Sequence, residues 1–320
     1  MQYSYNNDPR VEQTLADALA GIAGEIAASP LRTRIQAAVL CGGYGRGEGG
    51  ATPDGRLYND LDFFVVTSNE KDGALAEFLN GIARHRKNEL GIDVDFTLSS
   101  PQRLKRNERT LMVQEMLAGH QLIYGDAAAL AGLTLYPWNE LPVSEGARLL
   151  LNRGTGLLLA RRQLLEAETD DDFVRRNLHK AALGCGDAKL IAAGNYRQTG
   201  GARLAEVEKF GNAALTAAYR TALDYKYAPR PSASEDFPAE LERAVALWQN
   251  TVKKYPTGFP VEHSPRNLLL NLRYAGKLPR LFPLLAHPRW KLTAKLAELL
   301  NRPPHRPNET AYLELWHRFN

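Results

Sequence analysis

Apolar residues recur at helical spacing near the start of the chain and then give way to short apolar runs. The spacing predicts a first helix that begins after Asp8 and ends before Ser29. Two apolar runs, Ile35–Leu40 and Leu61–Thr67, are typical of buried strands. Between them we expect a loop, because the intervening stretch is dense in glycine and reads CGGYGRGEGGATPDG.

A strictly alternating segment follows a predicted helix over residues 71–90. In Ile92–Leu98 the apolar side chains take one face of a strand, and Asp93, Asp95 and Thr97 take the other. Charged residues are depleted in strands, so two carboxylates on one face need a reason. Either this face of the sheet is open to water, or the two acids belong to a shared acidic site.

A predicted helix between Ser100 and Gly119 and a short strand at Gln121–Tyr124 follow. Helices and strands in this order are typical of an α/β domain with a mixed sheet and flanking helices. We expect that domain to occupy residues 1–137.

The remainder of the chain changes character, because every periodic segment in it is helical. We therefore expect an all-α C-terminal domain over residues 138–320, with a candidate joint in the Pro- and Ser-rich stretch 228–240. The predicted helices cover about 144–165, 172–194, 201–225, 239–254, 263–275, 288–301 and 309–319.

Composition narrows the class of protein. The 320 residues include 44% hydrophobic and 24% charged side chains, which is typical of a folded globular chain of two domains. Two cysteines, Cys41 and Cys185, are too few for a disulfide framework and fit a reducing compartment. We expect a cytoplasmic protein with no membrane partner, because there is no N-terminal signal core and no apolar run near the ~18 residues of a span.

The formal net charge of +4 permits an anionic ligand. It argues against nucleic acid as the main partner, because no concentrated basic stripe accompanies it.

The glycine-dense loop is the first candidate for chemistry. Gly42 and Gly43 directly follow the first strand, and such glycines let backbone N–H groups approach an anion closely. Arg46 adds a fixed charge suited to phosphate. The spacing matches neither the dinucleotide fingerprint nor the P-loop, and a mobile turn is the alternative.

A pair of carboxylates is the second candidate. Asp60 and Asp62, one residue apart where a strand begins, point to the same face. Like charges side by side cost free energy unless something offsets them, and a magnesium ion is the obvious offset. If the strand of Asp93 and Asp95 lies alongside, three carboxylates could hold two magnesium ions ~3.5–4 Å apart, as in-line phosphoryl transfer requires. A solvated loop acid followed by an edge-facing acid is the alternative.

In this order the motifs resemble the DNA polymerase beta-like nucleotidyltransferase superfamily. The strand and its glycine loop match that superfamily's hG[G/S] element, Asp60 and Asp62 match its D-x-D pair, and a third acid follows on a later strand. The gap between loop and pair is longer than usual, so ATPDGRLY looks like a local insertion. The resemblance covers about residues 10–135.

The resemblance implies a nucleotidyltransferase that moves a nucleoside monophosphate from a nucleoside triphosphate, with ATP as the expected donor, and releases pyrophosphate. It implies two Mg²⁺ ions, with Mn²⁺ as an alternative. The implied nucleotide-binding residues of the loop are Gly42, Gly43, Tyr44 and Arg46. The implied catalytic residues and metal ligands are Asp60, Asp62 and Asp95, with Asp93 as the rival for the third position.

The helical domain resembles that of kanamycin- and lincosamide-type nucleotidyltransferases. Its candidate nucleotide contacts are Lys180, Asp187, Lys189 and Tyr196. Ordinary helix packing with a solvated Lys and Asp is the alternative, and the pattern favours it. The expected acceptor is a small molecule or a protein. A nucleotide-binding regulatory module without turnover, or a partner-binding protein, are the competing functions.

Overall fold

A computed structural model describes residues 2–230, 236–256, 265–273, 285 and 288–319. The chain divides into two compact units. The first comprises Met1–Pro137 together with Asp224–Arg230, and the second comprises Trp138–Leu223 and Pro231–Asn320. Residues 224–230 thus pack with a unit that ends far earlier in the chain. Of the candidate joint at 228–240, residues 231–235 lie outside the described residues.

The first unit is built on a mixed four-stranded sheet in the order β5-β4-β1-β6, with a separate two-stranded hairpin, β2-β3. Its strands are β1 (Ile35–Leu40), β2 (Gly50–Ala51), β3 (Leu57–Tyr58), β4 (Leu61–Thr67), β5 (Val94–Ser99) and β6 (Gln121–Gly125). Strand β1 is antiparallel to both of its neighbours, whereas β4 and β5 are parallel. The two strands that carry the predicted acids are therefore adjacent, as the acidic-site hypothesis requires.

Helices cover both faces of this sheet. They are α1 (Pro9–Ala28), α2 (Gly42–Gly45), α3 (Gly73–Leu90), α4 (Pro101–Arg106) and α5 (Leu111–Ala118). The Asp8 side chain accepts the N–H of Arg10 and caps α1, and Gly91 ends α3 in the left-handed conformation at φ 71°.

Two apolar clusters form the core, one on each face of the sheet. Phe63 and Val65 of β4 belong to the cluster that contains the apolar stripes of α1 and α3. Phe64 and Val66 belong to the cluster that contains Met116 of α5 and its neighbours. Because β4 is buried on both faces, it is a continuous apolar run after Asp62 and does not alternate.

The second unit is helical throughout the part that the structure describes. Its helices are α6 (Val143–Gln163), α7 (Asp171–Ala192), α8 (Gly200–Glu208), α9 (Ala213–Tyr227, the end of which belongs to the first unit), α10 (Phe237–Lys254), α11 (Pro265–Arg273), α12 (Arg289–Asn301) and α13 (Arg306–Phe319). The fold class is therefore confirmed: a mixed α/β sheet with flanking helices, then an all-α part. None of the described helices has the length and apolar character needed to cross a bilayer.

Two segments that the sequence predicts as single helices each form two helices in the structure. The segment between Ser100 and Gly119 breaks at residues 107–110, because the Thr110 side chain accepts the N–H of Val113 and caps α5. The segment predicted at 201–225 breaks at Gly211, which has φ 65° and is followed by Asn212, whose side chain accepts the N–H of Leu215.

The glycine-dense stretch also differs from the prediction of a loop. It contains one helical turn, α2, and the two-residue strands β2 and β3, which pair Gly50 with Tyr58 and Ala51 with Leu57. Strands this short carry no periodic pattern, so the sequence could not indicate them. The alternating strand begins at Val94, and Asp93 therefore precedes it. The predicted helix at 263–275 is described only over Pro265–Arg273, and its remaining residues lie outside the described residues.

Candidate active site

Two of the predicted acids lie side by side on neighbouring strands. Asp62 of β4 and Asp95 of β5 are register partners in the parallel pair, and both side chains are exposed while Leu61 and Val94 beside them are buried. Strands paired in this way lie about 4.8 Å apart. The sheet therefore presents two carboxylates together on one face.

Asp60, the other acid of the predicted pair, also acts electrostatically on Asp95. It lies half-buried just before β4. The pKa of Asp95 is raised from its ordinary value, first by partial burial of its carboxyl group and then by the negative charges of Asp60 and Asp93, while Lys87 opposes the shift. This end of the sheet thus concentrates negative charge, as a cation-binding or proton-accepting site would.

Asp93, the rival third acid, has a different partner. Its Oδ1 atom lies 2.5 Å from Nζ of Lys87 at the end of α3, and both side chains are exposed. Its backbone carbonyl accepts the N–H of Leu61 at 2.9 Å and so aligns the starts of β4 and β5. The pairing with Lys87 favours Asp95 as the third acid, and this choice stays a prediction.

The oxygen donors of these acids suit Mg²⁺, and a bound cation would offset the negative charges of Asp60 and Asp93 that face Asp95. Within the described ranges, however, no three His, Cys, Asp or Glu side chains are gathered closely enough to hold a metal ion. The metal role of Asp60, Asp62 and Asp95 therefore stays a prediction that their chemistry fits.

The glycine loop begins in contact with this acidic face. Gly42 has φ 65°, and a Cβ atom on it would lie 2.6 Å from Oδ2 of Asp62, so only glycine fits without displacing the carboxylate. The Cys41 N–H donates to the Asp62 carbonyl at 2.8 Å. Cys41 itself is buried, and burial raises the pKa of its thiol to about 12, so it is no nucleophile.

Gly43 is the other loop glycine that we expect to contact phosphate. The left-handed glycines of the loop are Gly42, Gly47 and Gly55, and Gly43 is not among them. A Cβ atom on Gly43 would lie 3.4 Å from the backbone oxygen of Glu48, a tight but tolerable contact. Of the two glycines expected to contact phosphate, Gly42 therefore has the greater steric need for glycine.

Tyr44 is a structural residue and does not have the exposed position of a nucleotide contact. It is 1% exposed. Its hydroxyl lies 2.7 Å from the Gly50 carbonyl and 2.8 Å from the Tyr58 carbonyl, and it accepts the Tyr58 N–H at 3.0 Å. Tyr44 thus ties the β2-β3 hairpin to the loop.

Arg46 is also turned inward. Its side chain is 9% exposed, with Nε 3.8 Å from Oε2 of Glu48 and Nη1 3.6 Å from Oε2 of Glu115. Its charge is therefore engaged with two carboxylates, and the expectation that it meets phosphate is not supported by this position.

Asp187 and Tyr196 belong to a buried network in the second unit. Asp187 accepts the hydroxyl of Tyr219 at 2.6 Å and lies 3.3 Å from Nε of Arg203. The hydroxyl of Tyr196, a residue that is 1% exposed, accepts from Nη1 of Arg203 at 2.8 Å. These side chains satisfy one another inside the helical unit, so Asp187 takes part in packing but is not the solvated carboxylate of the alternative.

Lys189 and Lys180, the two lysines of α7 predicted as nucleotide contacts, also lie beside other residues of the second unit. Nζ of Lys189 lies 4.7 Å from the ring centroid of Phe210, a cation–π contact. Lys180 is half-buried one turn before Gly184. A Cβ atom on Gly184 would lie 2.5 Å from Cγ of Arg153, so this small residue serves the packing of α7 on α6.

The segment at 224–230 is the feature that sequence analysis missed. Tyr227 donates its hydroxyl to Oε1 of the buried Glu48 at 2.8 Å, and Lys226 lies beside the same carboxylate. No spacing or motif links these positions along the chain. The one available signal was the charge pair in Arg46-Gly47-Glu48, which indicates an ion pair but not its third member.

No protein-family model matches the chain, and a comparison with curated proteins also finds no match. A comparison with solved structures matches the crystal structure of spectinomycin adenyltransferase AAD(9) from Enterococcus faecialis with ATP and spectinomycin. The identity is 15%, the match covers 74% of this chain and 98% of that chain, and the TM-score is 0.47. A likeness of this size does not bear on the site or on the reaction.

Proposed function

We propose that this chain is a nucleotidyltransferase that moves a nucleoside monophosphate from a nucleoside triphosphate to an acceptor and releases pyrophosphate. ATP is the proposed donor, and magnesium the proposed cofactor. The observation that carries the proposal is the register pairing of Asp62 with Asp95 beside the charge of Asp60, directly where the glycine loop begins.

The proposed roles follow from these positions. Asp60 and Asp62 would hold two magnesium ions, with Asp95 as a ligand of one of them. When bound, such ions neutralise the charge of the triphosphate and of the leaving pyrophosphate. Asp95 would accept the proton of the acceptor group.

In the proposed step the acceptor oxygen forms a bond to the α-phosphorus of the donor. The bond from that phosphorus to the bridging oxygen breaks, pyrophosphate leaves with the electron pair, and the acceptor proton goes to Asp95. Positioning and charge neutralisation supply most of the rate in such transfers. The backbone around Gly42 is the proposed contact for the phosphates, because Arg46 is engaged elsewhere.

We propose a small molecule that carries a hydroxyl group as the acceptor, with a protein hydroxyl as the second candidate. Nucleic acid is disfavoured, because the formal net charge is only +4.

The test is release of pyrophosphate from each nucleoside triphosphate with Mg²⁺ and a panel of acceptors that includes aminoglycosides and protein. The wild-type chain is compared with Asp62→Asn and with Asp93→Asn, which alters an acid paired with Lys87. Pyrophosphate release that depends on the acceptor and on Asp62, but not on Asp93, supports the proposal. Binding of a triphosphate without release under any condition would instead indicate a regulatory module.

A further inference from the structure

Three consecutive residues from late in the chain, Tyr225–Tyr227, which we call the clasp, pack against the loop and against the chain entering β4. The hydroxyl oxygens of Tyr225 and Tyr58 lie 2.8 Å apart, and their rings meet edge-on with centroids 5.8 Å apart. The ring of Tyr227 stacks on Tyr5 with centroids 3.7 Å apart and an interplanar angle of 1°. All of these residues belong to the first unit.

Glu48 anchors the clasp to the glycine loop. The residue is 6% exposed, and its Oε1 atom accepts the hydroxyl of Tyr227 at 2.8 Å. Nζ of Lys226 and Nε of Arg46 each lie 3.8 Å from Oε2. Burial of a carboxylate is unfavourable without such partners. The clasp therefore stabilises the buried Glu48, and Glu48 in turn fixes the position of the clasp. The Glu48 N–H also donates to the Gly43 carbonyl at 2.8 Å, which links the clasp to the glycines.

A second contact reaches the residue before Asp60. The backbone carbonyl of Lys226 lies 3.5 Å from Nδ2 of Asn59, which donates to it. Gly50 approaches the same carbonyl so closely that any Cβ atom would collide with it. Asn59 has φ 79°, a left-handed conformation that asparagine adopts more readily than most other side chains.

We infer that the clasp is a positioning element of the active site. Tyr227 and Lys226 fix the glycine loop through Glu48, and the Lys226 carbonyl fixes Asn59 and thereby the direction in which the chain enters Asp60. The inference rests on the proposed function as far as Asp60 serves as a metal ligand. It extends the site to three residues that lie outside every motif of the α/β region.

The test removes one hydroxyl from the full-length chain. Tyr227→Phe keeps the ring that stacks on Tyr5 and deletes the bond to Glu48. The matched control is Tyr136→Phe, because Tyr136 donates its hydroxyl to Oε1 of Glu108 at the same 2.8 Å within the same unit. Hydrogen–deuterium exchange over residues 42–62 reports the loop, and electron paramagnetic resonance of Mn²⁺ reports the metal affinity.

We expect Tyr227→Phe to speed amide exchange over residues 42–62 by about 10-fold, the effect of losing a hydrogen bond to a charged group. The same variant should weaken Mn²⁺ binding at least about 3-fold, since Asp60 is held less firmly. Tyr136→Phe should change neither quantity. Glu48→Gln serves as a second variant, because it keeps an acceptor for Tyr227 but removes the charge that faces Lys226.

Unchanged exchange over residues 42–62 in both Tyr227→Phe and Glu48→Gln would overturn the inference. An equal loss of protection from amide exchange in Tyr227→Phe and Tyr136→Phe would overturn it as well, because the Tyr227 hydroxyl would then contribute only to general stability. If the wild-type chain binds no Mn²⁺ and transfers nothing, the proposed function fails, and the exchange comparison still decides whether the clasp holds the loop.

Discussion

At the scale of single residues, the position of each carboxylate is more informative than its presence. Asp62 and Asp95 face each other across two parallel strands, whereas Asp93, two residues before Asp95, is turned to Lys87. The alternation of the sequence put Asp93 and Asp95 on one face and could not separate them. The structure separates them because the strand begins only at Val94.

The first prediction concerns this division among the acids. Asp62→Asn and Asp95→Asn should each lower nucleotidyl transfer by at least about 100-fold, the loss typical when one charge-stabilising group leaves an active site. Asp93→Asn should keep most of the activity. Pyrophosphate release measured at saturating donor checks all three, and an inactive Asp93→Asn beside an active Asp95→Asn would reverse the assignment of the third acid.

The second prediction concerns the glycine that contacts Asp62. Gly42→Ala should destabilise the fold by about 1–2 kcal/mol, the cost of a left-handed residue with a Cβ atom. It should also weaken transfer, because the new methyl group displaces the Asp62 carboxylate. Gly81→Ala is the control: a Cβ atom there meets nothing within 4 Å inside α3, so it should stabilise by up to about 1 kcal/mol. Urea unfolding of both variants measures the contrast.

The third prediction follows from the raised pKa of Asp95. Folding favours the protonated form of this carboxyl group, so the free energy of unfolding falls as the pH rises from the ordinary value of 3.8 through the raised value. Asp95→Asn cannot ionise and should therefore raise Tm at pH 8. The gain should shrink as the pH is lowered toward 4. A Tm difference that grows on acidification would show that the pKa is shifted in the opposite direction.

At the scale of elements, the sequence predicted the helices and strands whose hydrophobic pattern extends over many residues. Strand β4 is predictable because it is a continuous apolar run, and the helices α1 and α3 are predictable because each has a long apolar stripe that begins after a capping residue. The breaks that produce α4 with α5, and α8 with α9, depend on single residues such as Thr110 and Gly211. One capping side chain inside a periodic stretch is easily outweighed by the apolar spacing on either side of it.

The candidate site was predictable to a similar extent. The sequence predicted that Asp62 meets the strand of Asp93 and Asp95 if the two strands are neighbours, but it did not predict that Asp95 is the register partner. The inward turn of Tyr44 and Arg46 could not be predicted, because it depends on partners distant in sequence, such as Glu115. Side chains in a glycine-rich loop have no periodicity that assigns them to a face.

The fourth prediction tests helix packing in the second unit. Gly184→Ala should lower the free energy of unfolding by about 1–3 kcal/mol, because the added methyl group overlaps the side chain of Arg153 on α6. Gly201→Ala in α8 should leave stability unchanged or raise it, since a Cβ atom there meets nothing within 4 Å. Equal effects in chemical unfolding would mean that close packing does not explain Gly184.

At the scale of the whole molecule, the first unit is discontinuous. Its main part ends at Pro137, and it also contains Asp224–Arg230. A boundary drawn at residue 137 would leave Glu48 as a buried carboxylate without Tyr227 and Lys226.

The fifth prediction is that residues 1–137 alone form a less stable unit than they do within the chain. A synthetic peptide of residues 220–230 should raise the Tm of that fragment, because it supplies the partners of Glu48. The same peptide with Phe in place of Tyr227 should raise Tm less. If neither peptide has an effect and the fragment is as stable as the full chain, the late segment contributes nothing to the first unit.

Discontinuity also sets an order of events during synthesis. The ribosome must add 86 residues, 138–223, after Pro137 before Asp224 is made, which at about 5–20 residues per second takes roughly 4–17 s. During that interval the nascent first unit has its strands and acids but lacks the residues that pack against Glu48 and Asn59. Completion of the glycine loop is thus delayed until the helices up to α9 have been translated.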